Sequence, residues 1–345
     1  MKRNLLLGLV GCFMVAAGIT GCGNKSATTT SGNAGTTSSD KTFRIALICK
    51  SSTNPVFLSA KTGAEAAARD LSKENNMDIQ IDWLTAPSED GQVQAQNIAQ
   101  AVNNGDKAVI ISCSDAAKVK GAIDDAVGRG VPVMAFDSDA TGSKRFAFYG
   151  ADDIKCGQQV MSELAVQLKG KGKIAILAGN QNAPNLQKRV QGVKDEAKKF
   201  KDITIIDVFY HKETPQDAAA KVLEVMNAHP EINGWAMVGG WPLFTKTLLT
   251  DLNPAKVKVV AVDCLPAQLP YIEKGIAPVL LAQPCYMWGY VSVEKVIDKV
   301  VLKKDVPEMN EMKLIRVSKE NLGEYSRKLK EWGFNDVPQK YLDMK

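Results

Sequence analysis

Short, nearly unbroken apolar runs recur from Phe43 onward, each separated from the next by a longer stretch with helical spacing. The runs at 43–49, 79–84, 108–113 and 131–136 read as strands, with helices at 60–74, 92–102 and 116–127 between them. A sheet with one wet face would alternate apolar and polar positions. Most of these runs do not alternate, which predicts a parallel sheet with helices on both faces. Residues 146–149 mark a transition, after which the pattern starts again. The second series predicts strands at 174–178, 203–209, 235–238, 257–262 and 279–282, and helices at 154–168, 186–200, 217–227, 243–251 and 267–274. A helix at 291–301, a strand at 313–317 and a helical tail at 319–332 complete the chain. Two successive series of this kind predict an α/β protein of two doubly wound, Rossmann-like lobes. Ligands of such sheets lie beyond the carboxyl ends of the strands, so function is sought in the loops that follow them.

Residues 1–22 break the pattern. Met1-Lys2-Arg3 precedes an almost wholly apolar stretch from Leu5 to Ala17, and Ile19-Thr20-Gly21-Cys22 follows. A basic start, an apolar run too short to cross a membrane comfortably and small residues at its end predict a secretion signal over 1–21. A Cys directly after Thr-Gly resembles the bacterial lipobox, which implies cleavage before Cys22 and lipidation of that residue; an ordinary signal peptide with an incidental Cys is the alternative. Residues 22–41 are rich in Ser, Thr and Gly and read as a flexible tether. The chain is therefore expected to work outside the cytoplasm, in the periplasm or on the outer face of the cell membrane.

That setting makes cytosolic cofactors poor candidates, and none is expected. Net charge is +5 over 345 residues and falls to +3 once Lys2 and Arg3 leave with the signal. With no tight basic cluster, this excludes a nucleic-acid binder. Of seven Cys, Cys12 lies in the signal and Cys22 is the proposed anchor. The remaining Cys49, Cys113, Cys156, Cys264 and Cys285 form no C-x-x-C pair, and with only His211 and His229 a metal site is not expected. Cys49 and Cys113 become neighbours if their strands pair.

Polar groups concentrate where strands end. Cys49-Lys50-Ser51-Ser52-Thr53-Asn54-Pro55-Val56-Phe57, Ser112-Cys113-Ser114-Asp115 and Phe136-Asp137-Ser138-Asp139 close three strands of the first series. In the second, Asn185 and Arg189 follow the first strand, while Asp263 and Gln283 end later ones. Asp, Asn, Arg and Gln bond well to vicinal hydroxyls, and an aromatic face covers the C–H side of a sugar ring, so this mixture suits a small polyhydroxylated ligand. Each residue also has a structural reading. Asp115 fits a helix cap and Asn54-Pro55 a helix start. Arg189 fits a surface ion pair, Lys50 a solvent-facing residue, and Phe57 and Trp241 core positions. No phosphate-cradling glycine motif or nucleophile elbow occurs, which disfavours an enzyme.

Taken in order, these residues resemble ribose-type periplasmic binding proteins, the solute-binding proteins of sugar-importing ABC transporters. Ser52-Thr53-Asn54-Pro55-Val56-Phe57 is similar to that family's S-T-x-N-P-F-F start. Gly130-Val131-Pro132-Val133 leading to Asp137 resembles its G-I-P-V…D stretch, and Arg189-Val190-Gln191-Gly192 its R-x-x-G helix element. His229-Pro230, then Val259-Val260-Ala261-Val262-Asp263, then Ala282-Gln283 continue in sequence. The resemblance implies two lobes hinged by three crossovers, near 150–153, 283–284 and 313–317. One lobe would comprise 42–150 and 284–312, the other 151–283 and 313–345. It further implies that Asn54, Phe57, Asp137, Arg189, Asp263 and Gln283 contact a sugar.

There are departures. The second aromatic of the motif is Val56, the Arg that often follows the Asp is Ser138, and the N-D-x of the middle strand is Gly239-Gly240-Trp241. The 136–139 segment and Lys50 look like the rhamnose- and autoinducer-2-binding branches. Candidate ligand-binding residues are therefore Lys50, Asn54, Phe57, Asp115, Asp137, Ser138, Asn185, Arg189, Trp241, Asp263 and Gln283. The implied protein is a lipid-anchored monomer that hands a small neutral sugar or polyol to an ABC permease with a cytoplasmic ATPase. A lipid-anchored receptor feeding a chemotaxis or kinase pathway is the alternative.

Overall fold

The computed structural model describes residues 42–345; the expected signal, Cys22 and the tether lie outside the described residues. The chain opens with β1 (Thr42–Ile48), α1 (Pro55–Asn75), β2 (Asp78–Trp83), α2 (Gly91–Asn104), β3 (Ala108–Ile111), α3 (Ala116–Gly128), β4 (Val133–Phe136) and β5 (Ala147–Gly150). It continues with α4 (Asp153–Gln167), β6 (Lys171–Ala178), α5 (Pro184–Ala197), β7 (Asp202–Tyr210), α6 (Pro215–Ala228), β8 (Gly234–Met237), β9 (Lys258–Val262), α7 (Leu269–Lys274) and β10 (Val279–Ala282). Then come α8 (Cys285–Val300), β11 (Met309–Glu311), β12 (Ile315–Ser318), α9 (Leu322–Glu331) and α10 (Gln339–Leu342).

Two six-stranded sheets result, in the orders β11-β5-β4-β3-β1-β2 and β12-β10-β9-β8-β6-β7. All pairings are parallel except β10 with β12. This is the two-lobed α/β architecture that the continuous apolar runs predict. The chain passes between the sheets three times: after β5, after β10 and between β11 and β12.

In each lobe a helix that follows β1 or β6 lies directly on a helix that follows a crossing. A Cβ on Gly63 of α1 would strike the Tyr286 carbonyl oxygen of α8, and one on Gly289 of α8 would strike that of Ala60. The second lobe repeats the arrangement. Gly157 of α4 abuts the Arg189 carbonyl oxygen of α5, and Gly192 of α5 abuts that of Ile154.

Two expectations need correction, and the question of a Cys49–Cys113 bridge, left open by the sequence, is answered. Residues 243–251 do not form a helix: a single 3-10 turn, Trp241–Leu243, gives way to successive turns. Pro242 and the threonines at 245, 247 and 250 weaken helix there, and the Thr245 carbonyl is taken by the Tyr271 hydroxyl at 2.7 Å. Residues 147–150 are a full strand, and β11 is a strand that the polar run Met309-Asn310-Glu311 did not announce. Cys49 and Cys113 do not pair; all five described Cys are free and buried. Although β1 pairs with β3, Ile48 lies opposite Ile111. The two thiols therefore differ by one residue in register and enter separate cores on opposite sheet faces.

Candidate functional site

The carboxyl ends of both sheets face one another, and polar side chains converge there from each side. Asp137 directly follows β4 and Asp263 directly follows β9. Both hold left-handed backbone, with φ of 55° and 70°. Few residues other than Gly adopt that region, and Asp does so more readily than most. Such turns let an acidic side chain end a buried strand and point into the gap between lobes, which is where strained backbone concentrates in functional sites.

Asp137 is the meeting point. Ser112 Oγ donates to its Oδ2 at 2.7 Å, from the same lobe. Asn185 Nδ2, from the other lobe, donates to its Oδ1 at 3.0 Å. Lys50 Nζ lies 3.7 Å from Oδ2 and also donates to Asn185 Oδ1 at 3.2 Å. Burial alone would lower the Lys50 pKa, but the Asp137, Glu213 and Glu89 carboxylates outweigh it and hold the ammonium charged.

Arg189, only 2% exposed, uses its whole guanidinium. Nε donates to Asp153 Oδ1 at 2.8 Å, Nη1 to the Val238 carbonyl at 3.2 Å and Nη2 to Gln283 Oε1 at 2.8 Å. Nη2 is also 3.8 Å from Asp137 Oδ1, which spans the lobes. Gln283 passes the chain on, its Nε2 donating to Asp263 Oδ1 at 2.8 Å, and Gly240 N donates to Asp263 Oδ2 at 3.3 Å. Burial pushes Asp153 up to about 6 against the pull of Arg189, and likewise raises Asp263 despite its bond to Gln283.

Aromatic rings close the sides. Phe57 stacks on Trp288 with centroids 6.1 Å apart, and the Trp241 indole lies over Gly239. These groups enclose a void of about 30 Å³, lined also by Asn54, Leu186 and Glu213. That is space for about one or two waters. A guest of sugar size must take over the hydrogen bonds these side chains now make to each other. Exchanging one satisfied bond for another costs little, whereas leaving a buried group unpaired costs about 1–3 kcal/mol.

The sequence profile of the periplasmic binding protein domain matches residues 45–304. The chain belongs to that family. Among curated relatives, the D-ribose/D-allose-binding protein of Pseudomonas aeruginosa is 25% identical over 244 residues, covering 67% of this chain and 74% of that protein. The ribose import binding protein of Bacillus subtilis is 28% identical over 152 residues, or 44% of this chain and about half (48%) of that protein's length. In fold, the chain is similar to a carbohydrate transporter solute-binding protein from Agrobacterium radiobacter solved with D-arabinose. That match has a TM-score of 0.77 and 22% identity, covering 85% of this chain and 99% of the other. A glucose-galactose binding protein from Geobacillus stearothermophilus gives a TM-score of 0.74 at 24% identity, covering 81% and 99%.

In this periplasmic binding protein the structure gathers nine of the eleven candidates around the void: Lys50, Asn54, Phe57, Asp137, Asn185, Arg189, Trp241, Asp263 and Gln283. Asn54 does two jobs, since its Oδ1 also accepts from Val56 N at 3.2 Å as the cap of α1. Asp115 is a correction. Its carboxylate caps α3, accepting from Ala117 N and Lys118 N, and it does not line the void. Replacing Asp115 with Ala is expected to cost about 1 kcal/mol in urea unfolding and to leave ligand affinity within about twofold; a tenfold loss in titration calorimetry would return it to the site. Ser138 is a second correction: its side chain is fully buried outside the void, with no hydrogen-bond partner for Oγ among the described residues.

Four participants escaped sequence reasoning. Ser112 ends its strand as visibly as Asp137 does, but its role depends on the parallel β3–β4 register. Asp153 was readable only as one of two adjacent acids. Glu213 lies in the loop after β7 and Trp288 in the first turn of α8, both placed at the cleft by tertiary structure alone.

Proposed function

We propose that this chain is a lipid-anchored, extracytoplasmic solute-binding protein. It captures a small sugar or sugar-like polyol between its lobes and delivers it to an ABC importer, without turning it over. The observation that carries this reading is the buried pairing across the cleft: Asp137 from one lobe against Asn185 and Arg189 from the other. Donors and acceptors are thus already desolvated and oriented, which is what affinity for a hydroxyl-rich guest requires. Trp288 adds a buried indole Nε1 with no acceptor among the described residues, a donor that a ring oxygen would satisfy. The ribose, allose, arabinose and xylitol named for relatives and structural neighbours lend support.

The expected result is a rise in melting temperature of about 5 °C for at least one of D-ribose, D-allose, D-arabinose, L-rhamnose or xylitol at a hundredfold excess over its Kd. A flat response to all five at millimolar concentration, confirmed by titration calorimetry, would overturn the reading.

A further inference from the structure

The mouth of the cleft carries groups that the deep site does not use. A groove of about 630 Å³ lies there, lined by Ser51, Thr53 and Glu89 from one lobe and by Asn180, His211 and Glu213 from the other. Both carboxylate oxygens of Glu89 are buried and meet no hydrogen-bond donor among the described residues. The Glu89 and Glu213 carboxyls lie within hydrogen-bonding reach of each other, close enough to share one proton. Glu213 Oε1 accepts from Asn180 N at 3.0 Å, so that backbone donor is already used.

Three further groups beside Glu89 and Glu213 have their protons committed elsewhere, while Lys212, Gln181 and Tyr210 also line the groove. Ser51 Oγ and Thr53 Oγ1 both give their protons to the Pro87 carbonyl, at 2.8 and 3.2 Å. His211 Nδ1 lies 2.6 Å from the Lys212 carbonyl, which assigns the proton to Nδ1 and leaves the lone pair on Nε2. That Nε2 is buried without a partner among the described residues, and burial keeps the ring neutral by lowering its pKa. The ring is held edge-on to Trp241 at 4.9 Å. A hydroxyl brings one donor and two lone pairs to such a wall, whereas an ammonium brings three donors and none. Charge points the same way. Asp137, Asp153, Asp263 and Glu213 are four carboxylates set against the buried Lys50 and Arg189, with Lys212 exposed at the rim, and Lys50 is spent on Asp137 and Asn185.

We propose that this groove is a subsite for a protonated amine, so that the cleft takes amine-bearing sugars or polyols, their ammonium lying between Glu89 and Glu213. The proposal rests on the sugar-binding reading and extends its ligand class from neutral to cationic. It also carries a pH signature. The groups around Glu89 are Glu213, Lys50, Asp137 and the neutral His211, with Lys212 at the exposed rim of the groove. Burial first, and the Glu213 charge second, push the Glu89 carboxyl well above the usual range. Without a cation it therefore tends to hold a proton, which an ammonium must displace. The advantage of the amine accordingly shrinks as pH falls, and affinity for a neutral sugar does not follow.

Titration calorimetry near neutral pH compares D-glucosamine, D-galactosamine and D-allosamine with D-glucose, D-galactose and D-allose, and with N-acetyl-D-glucosamine, whose nitrogen is uncharged. The expected result is binding roughly tenfold or more tighter for at least one amine over its neutral and acetylated counterparts. Glu89→Gln is expected to remove that preference while leaving the neutral sugars within about twofold, and Glu213→Gln to reduce it. Neutral sugars binding as well as their amines, or a preference that Glu89→Gln leaves intact, overturns the subsite and spares the sugar-binding reading. Binding of no sugar of either kind overturns that reading itself. A rise in melting temperature with calcium chloride alone, lost in Glu89→Gln, overturns the amine in favour of a metal ion.

Discussion

Gly192→Val is expected to destabilise the protein by about 3 kcal/mol or more and to weaken ligand binding at the same time. The side chain has nowhere to go, because even a Cβ at Gly192 meets the Ile154 carbonyl oxygen, and the Gln158 backbone nitrogen is 3.0 Å away. Backbone cannot yield as the tip of a flexible side chain does, so α5 must move off α4. Arg189 sits one turn earlier on α5, and its Nε bond is to Asp153, the first residue of α4. Separating the helices therefore stretches the bond that aims the guanidinium. Urea unfolding with titration calorimetry on the same variant checks both effects. A variant as stable as the parent shows that the glycine contact is not what sets the helix spacing. Gly63→Val, at the equivalent contact in the other lobe, is expected to destabilise comparably, with the Arg189 bonds left in place.

Arg189→Lys is expected to lower ligand affinity by about a hundredfold or more, although the charge is kept. The guanidinium holds Asp153, the Val238 carbonyl and Gln283 through three different nitrogens, a fork that one ammonium cannot reproduce. Gln283 loses its donor, and with it the orientation that presents Nε2 to Asp263. Stability falls as well, by about 3 kcal/mol, because Asp153 is left buried with an ill-placed partner. Calorimetry well below the melting temperature of the variant separates the two losses. Unchanged affinity would mean that Arg189 serves the fold of its lobe and not the ligand.

The lobes were legible because buried parallel strands write themselves as unbroken apolar runs, and Val259-Val260-Ala261-Val262 could hardly be anything else. The site was legible to the extent that it lies one or two residues beyond such runs, as Asp137 and Asp263 do. What sequence alone could not separate was capping from contact. Asp115 and Asp137 each follow an apolar strand by a short step, yet one bonds to its own helix and the other crosses the cleft. The left-handed backbone of Asp137 makes that difference, and no local pattern encodes it. Glu89 and Glu213 were unreadable for a different reason. They lie about 120 positions apart on loops without periodicity, and only closure of two lobes brings them together.

The glycine contact between α1 and α8 also constrains the order of assembly. The first lobe begins at Thr42, but the helix that covers α1 and the strand that completes its sheet are among the last parts made, at Cys285–Val300 and Met309–Glu311. Until then α1 has no partner for its small-residue face, whereas α4 and α5, the equivalent pair of the other lobe, are made one after the other with only β6 between them. On a ribosome, the helix synthesised first is thus among the last to meet the helix it packs on.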